Sequence, residues 1–420
     1  MKYKNTTNLS SEYIEYLLAN TPQVTFEITD ACNLKCTYCG YGEFYSDYDD
    51  RENKVLPEKK AIRLLDYLSK LWNSSRNISS NENIFISFYG GEPLLNMKFI
   101  RKIVDYVENE LKCENRRFRF SMTTNGLLLH KYIEYLVKHD FHLLISLDGN
   151  KENNAYRIDK MGNPKFEIIL RNTDAIRDNY PNYFLSNVNF NAVLHNKNTV
   201  ESIYRFVKVR FNKIPNIGEL NNMGIRPDKR EVFMQTYRNS EESLYQSEHY
   251  SEIEKDMFVK SGSFRNCLMY LIRHSDFVFK DYNELLYGKP KEEHTFPTGT
   301  CLPFTKKIYV TVNGKILPCE RIGHKFALGE ITDTEIKLDF SLIAKKYNKY
   351  YAKLDSQCKS CYNKKGCIQC VFNIENIDEE PTCHGCLTKK DFDSYVNSQL
   401  NFLAHNPEAY FRIMEEVIVK

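Results

Sequence analysis

Three cysteines, Cys32, Cys36 and Cys39, lie within the run Thr29-Asp30-Ala31-Cys32-Asn33-Leu34-Lys35-Cys36-Thr37-Tyr38-Cys39. Their spacing is Cys-x3-Cys-x2-Cys, directly after a strand-like stretch at 24–28. Three thiolates on one short loop can hold three irons of a cubane [4Fe–4S] cluster, whose usual complement is four. The fourth iron is then left for a small molecule. A motif of this kind at the end of a strand calls for a fold in which strand ends converge.

The first half of the chain meets that demand. Strand-like segments at 24–29, 84–89, 118–123, 142–147, 187–194 and 217–223 alternate with helical periodicity, as at 58–72, 97–112 and 130–139. Such alternation marks a parallel α/β fold, and six βα units predict a partial (β/α)6 TIM-like barrel. The expected organisation is an N-terminal extension at 1–22, the barrel at 23–226, a helical bridge at 227–300, a small cysteine-rich domain at 301–388 and a helical tail at 389–420. The segment 227–297 is polar and rich in tyrosine, with helix candidates at 231–246 and 264–279 and a break at Gly288-Lys289-Pro290. From Cys301 on, cysteines recur every few residues and long apolar runs are few. Such a region builds little conventional core and would lean on metal.

Composition removes several classes of function. A formal charge of +3 over 420 residues is too small to argue for a nucleic-acid groove. The first 22 residues lack an apolar signal-peptide core, and no apolar run is long enough to span a membrane. A reducing, cytoplasmic location is therefore expected. There, metal ligation is a stronger reading of 13 cysteines than disulfides.

In βα barrels the chemistry sits at the carboxyl ends of the strands. The cysteine triad follows the first strand and Gly90-Gly91-Glu92-Pro93 the second. Thr124-Asn125-Gly126 follows the third, and Ser146-Leu147-Asp148-Gly149 ends the fourth. Glycine pairs let backbone approach a ligand closely, and Glu92 can accept hydrogen bonds from an ammonium group. Each run alone could be an ordinary turn. Together they resemble the core of the radical S-adenosylmethionine (SAM) enzymes over residues 24–194.

That resemblance implies a [4Fe–4S] cluster on Cys32, Cys36 and Cys39, with SAM chelated at the open iron. It further implies that Gly90, Gly91 and Glu92 contact the methionyl amine and that Tyr38 lies near the adenine. Asn125, Ser146 and Arg157 fall at family positions that bind SAM, the last two at its ribose or carboxylate end. The Ser146-to-Arg157 interval is one residue shorter than in the sulfatase-maturing relatives, whose His-Asp pair is replaced here by Asn154-Ala155.

The second cysteine set reads Cys301-x12-Gly314-x4-Cys319, then Cys358-x2-Cys361-x5-Cys367-x2-Cys370, then Cys383-x2-Cys386. It resembles the SPASM extension of radical SAM enzymes, which carries two auxiliary [4Fe–4S] clusters. Cys367-x2-Cys370 is one residue tighter than the family pattern, and Cys386 is additional to its seven cysteines. The family's interleaving would place Cys358, Cys361 and Cys367 on one cluster with Cys383 or Cys386, and Cys301, Cys319 and Cys370 on the other. An eighth cysteine could close that second cluster or leave an iron open. On spacing alone, two zinc sites are the alternative. Cys113 and Cys267 read as buried small hydrophobes, His195 as a satisfied polar group at a strand end, and His384 as no ligand.

The implied function is that of a radical SAM peptide maturase, forming a thioether or carbon–carbon crosslink in a ribosomally made peptide. The substrate is a peptide or protein, with or without a leader sequence. Residues 1–31 are too short for the leader-binding module some relatives carry, so segment 227–297 or a separate protein would bind it. A flavodoxin or ferredoxin would donate the electron. The alternatives are a sulfatase-type maturase oxidising Cys or Ser to formylglycine, and a non-catalytic iron–sulfur electron carrier or zinc-stabilised protein.

Overall fold

The computed structural model describes residues 8–78, 83–113, 116–257, 262–275, 286 and 302–415. Cys301 and the Gly288-Lys289-Pro290 break lie outside the described residues. Two compact units are present: Ile14–Asp256 with Pro303–Asp339, and Met1–Tyr13 with Met257–Leu302 and Phe340–Lys420.

The first unit is built on one ten-stranded sheet. Its parallel core runs in chain order: β1 (Gln23–Thr29), β2 (Asn83–Gly90), β3 (Arg117–Thr124), β4 (His142–Ser146), β5 (Val188–Leu194) and β6 (Asn216–Glu219). These are the six expected strands, each shifted by a few residues at most. Helices Glu58–Trp72, Met97–Asn109, Leu129–Lys138 and Val200–Phe211 supply crossovers, as parallel pairing requires. Phe26, Phe88, Phe141 and Phe190 are fully buried in the core. The fold is the parallel α/β architecture that the alternation of strands and helices predicts.

The sheet does not stop at β1. β7 (Ile308–Val310) pairs parallel to it, Val24 opposite Ile308, and β8 (Lys315–Leu317), β9 (Gly329–Ile331) and β10 (Ile336–Lys337) follow antiparallel. Residues 303–339, read in sequence as the start of the cysteine-rich domain, thus group with the sheet. Their strands are two or three residues long, too short for a period-two pattern to stand out. The bridge expected at 227–300 also divides, with residues up to Asp256 grouping with the sheet.

The helix expected at 231–246 is two helices, Arg230–Thr236 and Ser240–Tyr245. Tyr237 leaves the helical region, and the Asn239 side chain caps the second helix by accepting from Glu242 N at 2.9 Å, a role asparagine performs well.

In the other unit the longest element is the helix Phe340–Ser360, which buries Ile343, Tyr347, Tyr350, Tyr351 and Leu354. Their three- and four-residue spacing is an apolar stripe made of tyrosines, and it gives this region a conventional packed helix as well as thiols. Cys267 is fully buried among Phe264, Leu271, Ala409 and Ile413, as a small hydrophobe. Among the described residues no helix is long and apolar enough to cross a membrane.

Phe88 is fully buried and stacks on Phe120 and Phe141 with centroids 6.5 and 5.8 Å away. Phe88→Ala is expected to cost about 3–5 kcal/mol, read as a lower urea midpoint with an unchanged m-value.

Candidate active site at the carboxyl edge of the sheet

β1 ends at Thr29, and the loop beyond it carries Cys32, Cys36 and Cys39. The loop is pinned from several sides. Cys39 N donates to Cys36 O at 3.1 Å, Lys35 N to Ile158 O at 2.7 Å, and Leu34 N to the Cys32 sulfur at 3.4 Å. Burial pushes the Cys32 thiol up to about 11 and the Cys36 thiol up to about 12, with the Cys39 sulfur adding to both shifts. Left to themselves these thiols stay protonated near neutrality. A metal that exchanges for their protons releases that strain, and a donor set of sulfur alone suits iron–sulfur chemistry.

The turn after β2 lies against this loop. Gly91 N donates to Thr29 O and Glu92 N to Ala31 O, both at 2.9 Å. Gly90 has φ +142°, and a Cβ there would fall 2.1 Å from Thr29 O; a Cβ on Gly91 would fall 2.1 Å from Ala31 O. The space freed by both glycines is filled by the cysteine loop's own backbone, a role the sequence did not reveal.

Glu92 has no exposed surface. Its Oε1 accepts from Thr124 Oγ1 at 2.7 Å and Leu94 N at 3.1 Å, and its Oε2 from Asn125 N at 2.8 Å. Burial raises its carboxyl to about 7 against those three donors. A carboxylate has about four lone-pair sites, so one remains for a ligand cation. The Asn125 amide donates to Asn33 Oδ1 at 2.7 Å and stands 3.8 Å from the Cys32 sulfur. Asn125 therefore couples the end of β3 to the cysteine loop.

At the end of β4, Ser146 is half-buried and Asp148 is fully buried. Arg157 grips Asp148 through both oxygens, Nε to Oδ2 and Nη2 to Oδ1, each at 3.0 Å. Tyr38 donates its hydroxyl to the same carboxylate, and Val193 N on β5 donates to Oδ1 at 3.0 Å. Burial alone would raise the Asp148 carboxyl; Arg157, with His195 and Tyr38, holds it below the usual carboxylate range. His195 is buried and stacks on Tyr38 at 5.4 Å, and its nitrogens are met by Lys197 N and the Asn198 amide at 3.2 and 3.1 Å. It is the satisfied strand-end histidine that the sequence suggested.

Asn154 closes the loop, accepting from Asp148 N at 3.1 Å and donating to Gly149 O at 2.7 Å. The structure thus brings Tyr38 and Arg157 together on Asp148. Reading the motif did not single out Asp148 as the hub, although an acid preceding glycine at a strand end was a usable signal.

A second buried cluster escaped the sequence reading. Glu27 on β1 pairs with Arg51 at 3.0 Å and accepts from Val312 N at 3.0 Å. Arg51 lies over the Tyr41 ring at 4.0 Å, and the Tyr41 and Tyr309 hydroxyls are 2.9 Å apart. Cys319, after β8, accepts from Arg321 N at 3.3 Å, and burial pushes its thiol up to about 12.

In the other unit, Cys358, Cys361, Cys367, Cys383 and Cys386 line one pocket together with Leu354, Gln357 and Lys364. Cys370 stands outside that lining. His384 is exposed and paired with Glu375 at 2.6 Å.

A converging set of thiols, tight glycines and a buried carboxylate–guanidinium pair at the carboxyl ends of parallel strands defines a class. The radical SAM superfamily model matches residues 26–209, and the chain carries a radical SAM domain whose chemistry rests on a [4Fe–4S] cluster and SAM. Along nearly its full length it is similar to the cysteine-type anaerobic sulfatase-maturating enzyme of Clostridium perfringens strain 13, at 26% identity over 390 residues, 90% of this chain and 96% of that one. The radical SAM cyclopropyl synthase TigE of Paramaledivibacter caminithermalis is 27% identical over 174 residues, 40% of this chain and 34% of that protein. The solved structure of native anSMEcpe with bound AdoMet superposes with a TM-score of 0.57 at 19% identity, covering 91% of this chain and 99% of that one. The cysteine-rich C-terminal region is consistent with a SPASM-type extension.

Three outcomes follow from this geometry. Asp148→Ala leaves the Arg157 guanidinium buried without its partner and is expected to cost about 3–5 kcal/mol. In urea titrations, Asp148→Ala/Arg157→Met should lose less than the two single changes summed. Gly91→Ala forces the β2 turn off the cysteine loop and is expected to cost at least about 1 kcal/mol, with less iron retained after desalting.

Proposed function

We propose that this chain is a radical SAM maturase that removes a hydrogen atom from a side chain of a peptide or protein, leading to a thioether or carbon–carbon crosslink. The observation that carries the reading is the convergence of Cys32, Cys36 and Cys39, the Gly90-Gly91-Glu92 turn, Asn125 and the Asp148–Arg157 pair on one edge of one sheet. Cys32, Cys36 and Cys39 would hold three irons of the cluster. Glu92, with one lone pair to spare, would receive the amino group of SAM. Arg157 and Ser146 would face its ribose or carboxylate end, with Tyr38 near the adenine. The cluster and SAM, once bound, supply a 5′-deoxyadenosyl radical; the chain's task is to orient the substrate and exclude water and oxygen.

The buried network is suited to that task. Arg157 and Tyr38 cannot swing freely while both are bound to Asp148, so the groups around the SAM site are fixed before any ligand arrives. Cys319, Cys370 and the pocket of five thiols would serve auxiliary clusters, Cys301 included. An electron donor of the flavodoxin or ferredoxin class, in a reducing compartment, would complete the system.

A second reading has its own support. Similarity over nearly the whole length to a cysteine-type sulfatase-maturating enzyme favours oxidation of a Cys or Ser residue to formylglycine. The two are told apart on a cysteine-containing peptide by mass spectrometry. A crosslink removes hydrogen and retains the sulfur, whereas formylglycine replaces the sulfur by oxygen.

The test of the shared reading is anaerobic. After reconstitution, three cubanes predict about 12 irons per chain, and the Cys32/Cys36/Cys39→Ala variant about 8. 5′-Deoxyadenosine should form only with the parent. A fully loaded parent that does not cleave SAM would overturn the reading in favour of electron transfer alone.

A further inference from the structure

The pocket in the second unit holds one thiol more than a [4Fe–4S] cubane has irons. Cys358, Cys361, Cys367, Cys383 and Cys386 all line it, and each iron of a [4Fe–4S] cluster takes one terminal thiolate. Two of the five are in direct contact, the Cys386 and Cys361 side chains being hydrogen-bonded to each other. Leu387 N, the peptide nitrogen immediately after Cys386, donates to the Cys361 sulfur at 3.4 Å. Tyr362 N, immediately after Cys361, donates to Leu387 O at 3.0 Å. Segments 361–362 and 386–387 are thereby locked side by side with their cysteines together. Cys383 N donates to Gln357 Oε1 at 3.0 Å and Cys386 N to Cys383 O at 3.2 Å.

The two adjacent thiols differ in their surroundings. The Cys386 sulfur donates to Gln357 O at 3.4 Å. The Cys361 sulfur accepts the Leu387 N–H at 3.4 Å. Each iron takes one terminal thiolate, so two thiols in mutual contact compete for one iron.

Resting on the reading that this pocket holds a cluster, we propose that Cys361 and Cys386 are alternative ligands to one iron, each able to hold it while the other remains a thiol. The two forms are not equivalent. Ligation by Cys361 keeps its N–H···S bond on the cluster, whereas ligation by Cys386 gives up the bond to Gln357 O. Hydrogen bonds to ligating sulfur tune a cluster's potential, so exchange of the ligand would shift it.

The experiment compares the reconstituted full-length protein with Cys358→Ala, Cys361→Ala, Cys386→Ala and Cys361→Ala/Cys386→Ala. Iron and sulfide are quantified, and reduced samples are examined by electron paramagnetic resonance. Both single changes at 361 and 386 should retain the parent's iron, with different cluster signals, and the double change should lose about 4 irons. Loss of a cluster from either single variant, or none from the double, overturns the proposal. If Cys358→Ala loses no iron, the pocket does not hold a cluster, and the underlying reading fails instead.

Anaerobic alkylation of the loaded native protein provides a test independent of how the variants fold. Label on Cys361 and Cys386 together should total one per chain and divide between them, with Cys358, Cys367 and Cys383 protected. Label on Cys386 alone, on Cys361 alone or on neither would overturn the exchange.

Discussion

Two positions without side chains, Gly90 and Gly91, decide how closely the end of β2 approaches the loop that carries the first three thiols. Any Cβ there would occupy the place of a carbonyl oxygen of Thr29 or Ala31. Because that approach is so close, two peptide N–H groups of the turn satisfy carbonyls of the cysteine loop. Glu92 is then carried inward, where Thr124 and Asn125 meet it from β3. The ends of three strands and the loop between them thus depend on one contact between backbones. Loops are ordinarily the mobile part of a barrel; this one is held by main-chain hydrogen bonds at its base and by Asn125 along its length.

The second determinant is electrostatic. Asp148 and Arg157 form a bidentate pair in surroundings where either charge alone would be expensive. Such a pair adds little net stability, yet it fixes geometry, because every alternative arrangement leaves a charge unmet. Tyr38, Val193 and His195 all adjoin the same carboxylate. The cysteine loop, β4, β5 and the segment ending at Arg157 are oriented by one buried group. Asn154 supports it from behind by holding the Asp148–Gly149 turn.

Much of this was legible in the sequence. The six parallel strands announced themselves as strand-like segments alternating with helical periodicity, and the motifs at their ends marked the candidate site. What could not be read was which motif residue touches which. Gly90 and Gly91 suggest a tight turn, but only the fold shows that the space they leave is taken by backbone from β1. Asp148 was visible as part of a turn, while its partners come from positions 38, 157, 193 and 195, which no local pattern connects. The strands between 308 and 337 are too short for periodicity, and their pairing with β1 is a tertiary event. The stripe Ile343, Tyr347, Tyr350, Tyr351 and Leu354 was readable, but tyrosines and the surrounding cysteines masked it as an irregular region. Cys267 illustrates the reverse case, since helical context alone marked it as core.

The pairing of β7 with β1 bears on how the molecule is made. Val312 N reaches Glu27 across a sequence separation of 285 residues, and β7 pairs with Val24, Thr25 and Phe26 on one flank of β1. During synthesis the first strand leaves the ribosome long before its partner, with that flank unpaired. Contacts so distant in sequence form late and slow the completion of a fold. The cysteine loop follows directly from this strand, so the strand that presents the first three thiols is completed on that side only after residue 310 has been made.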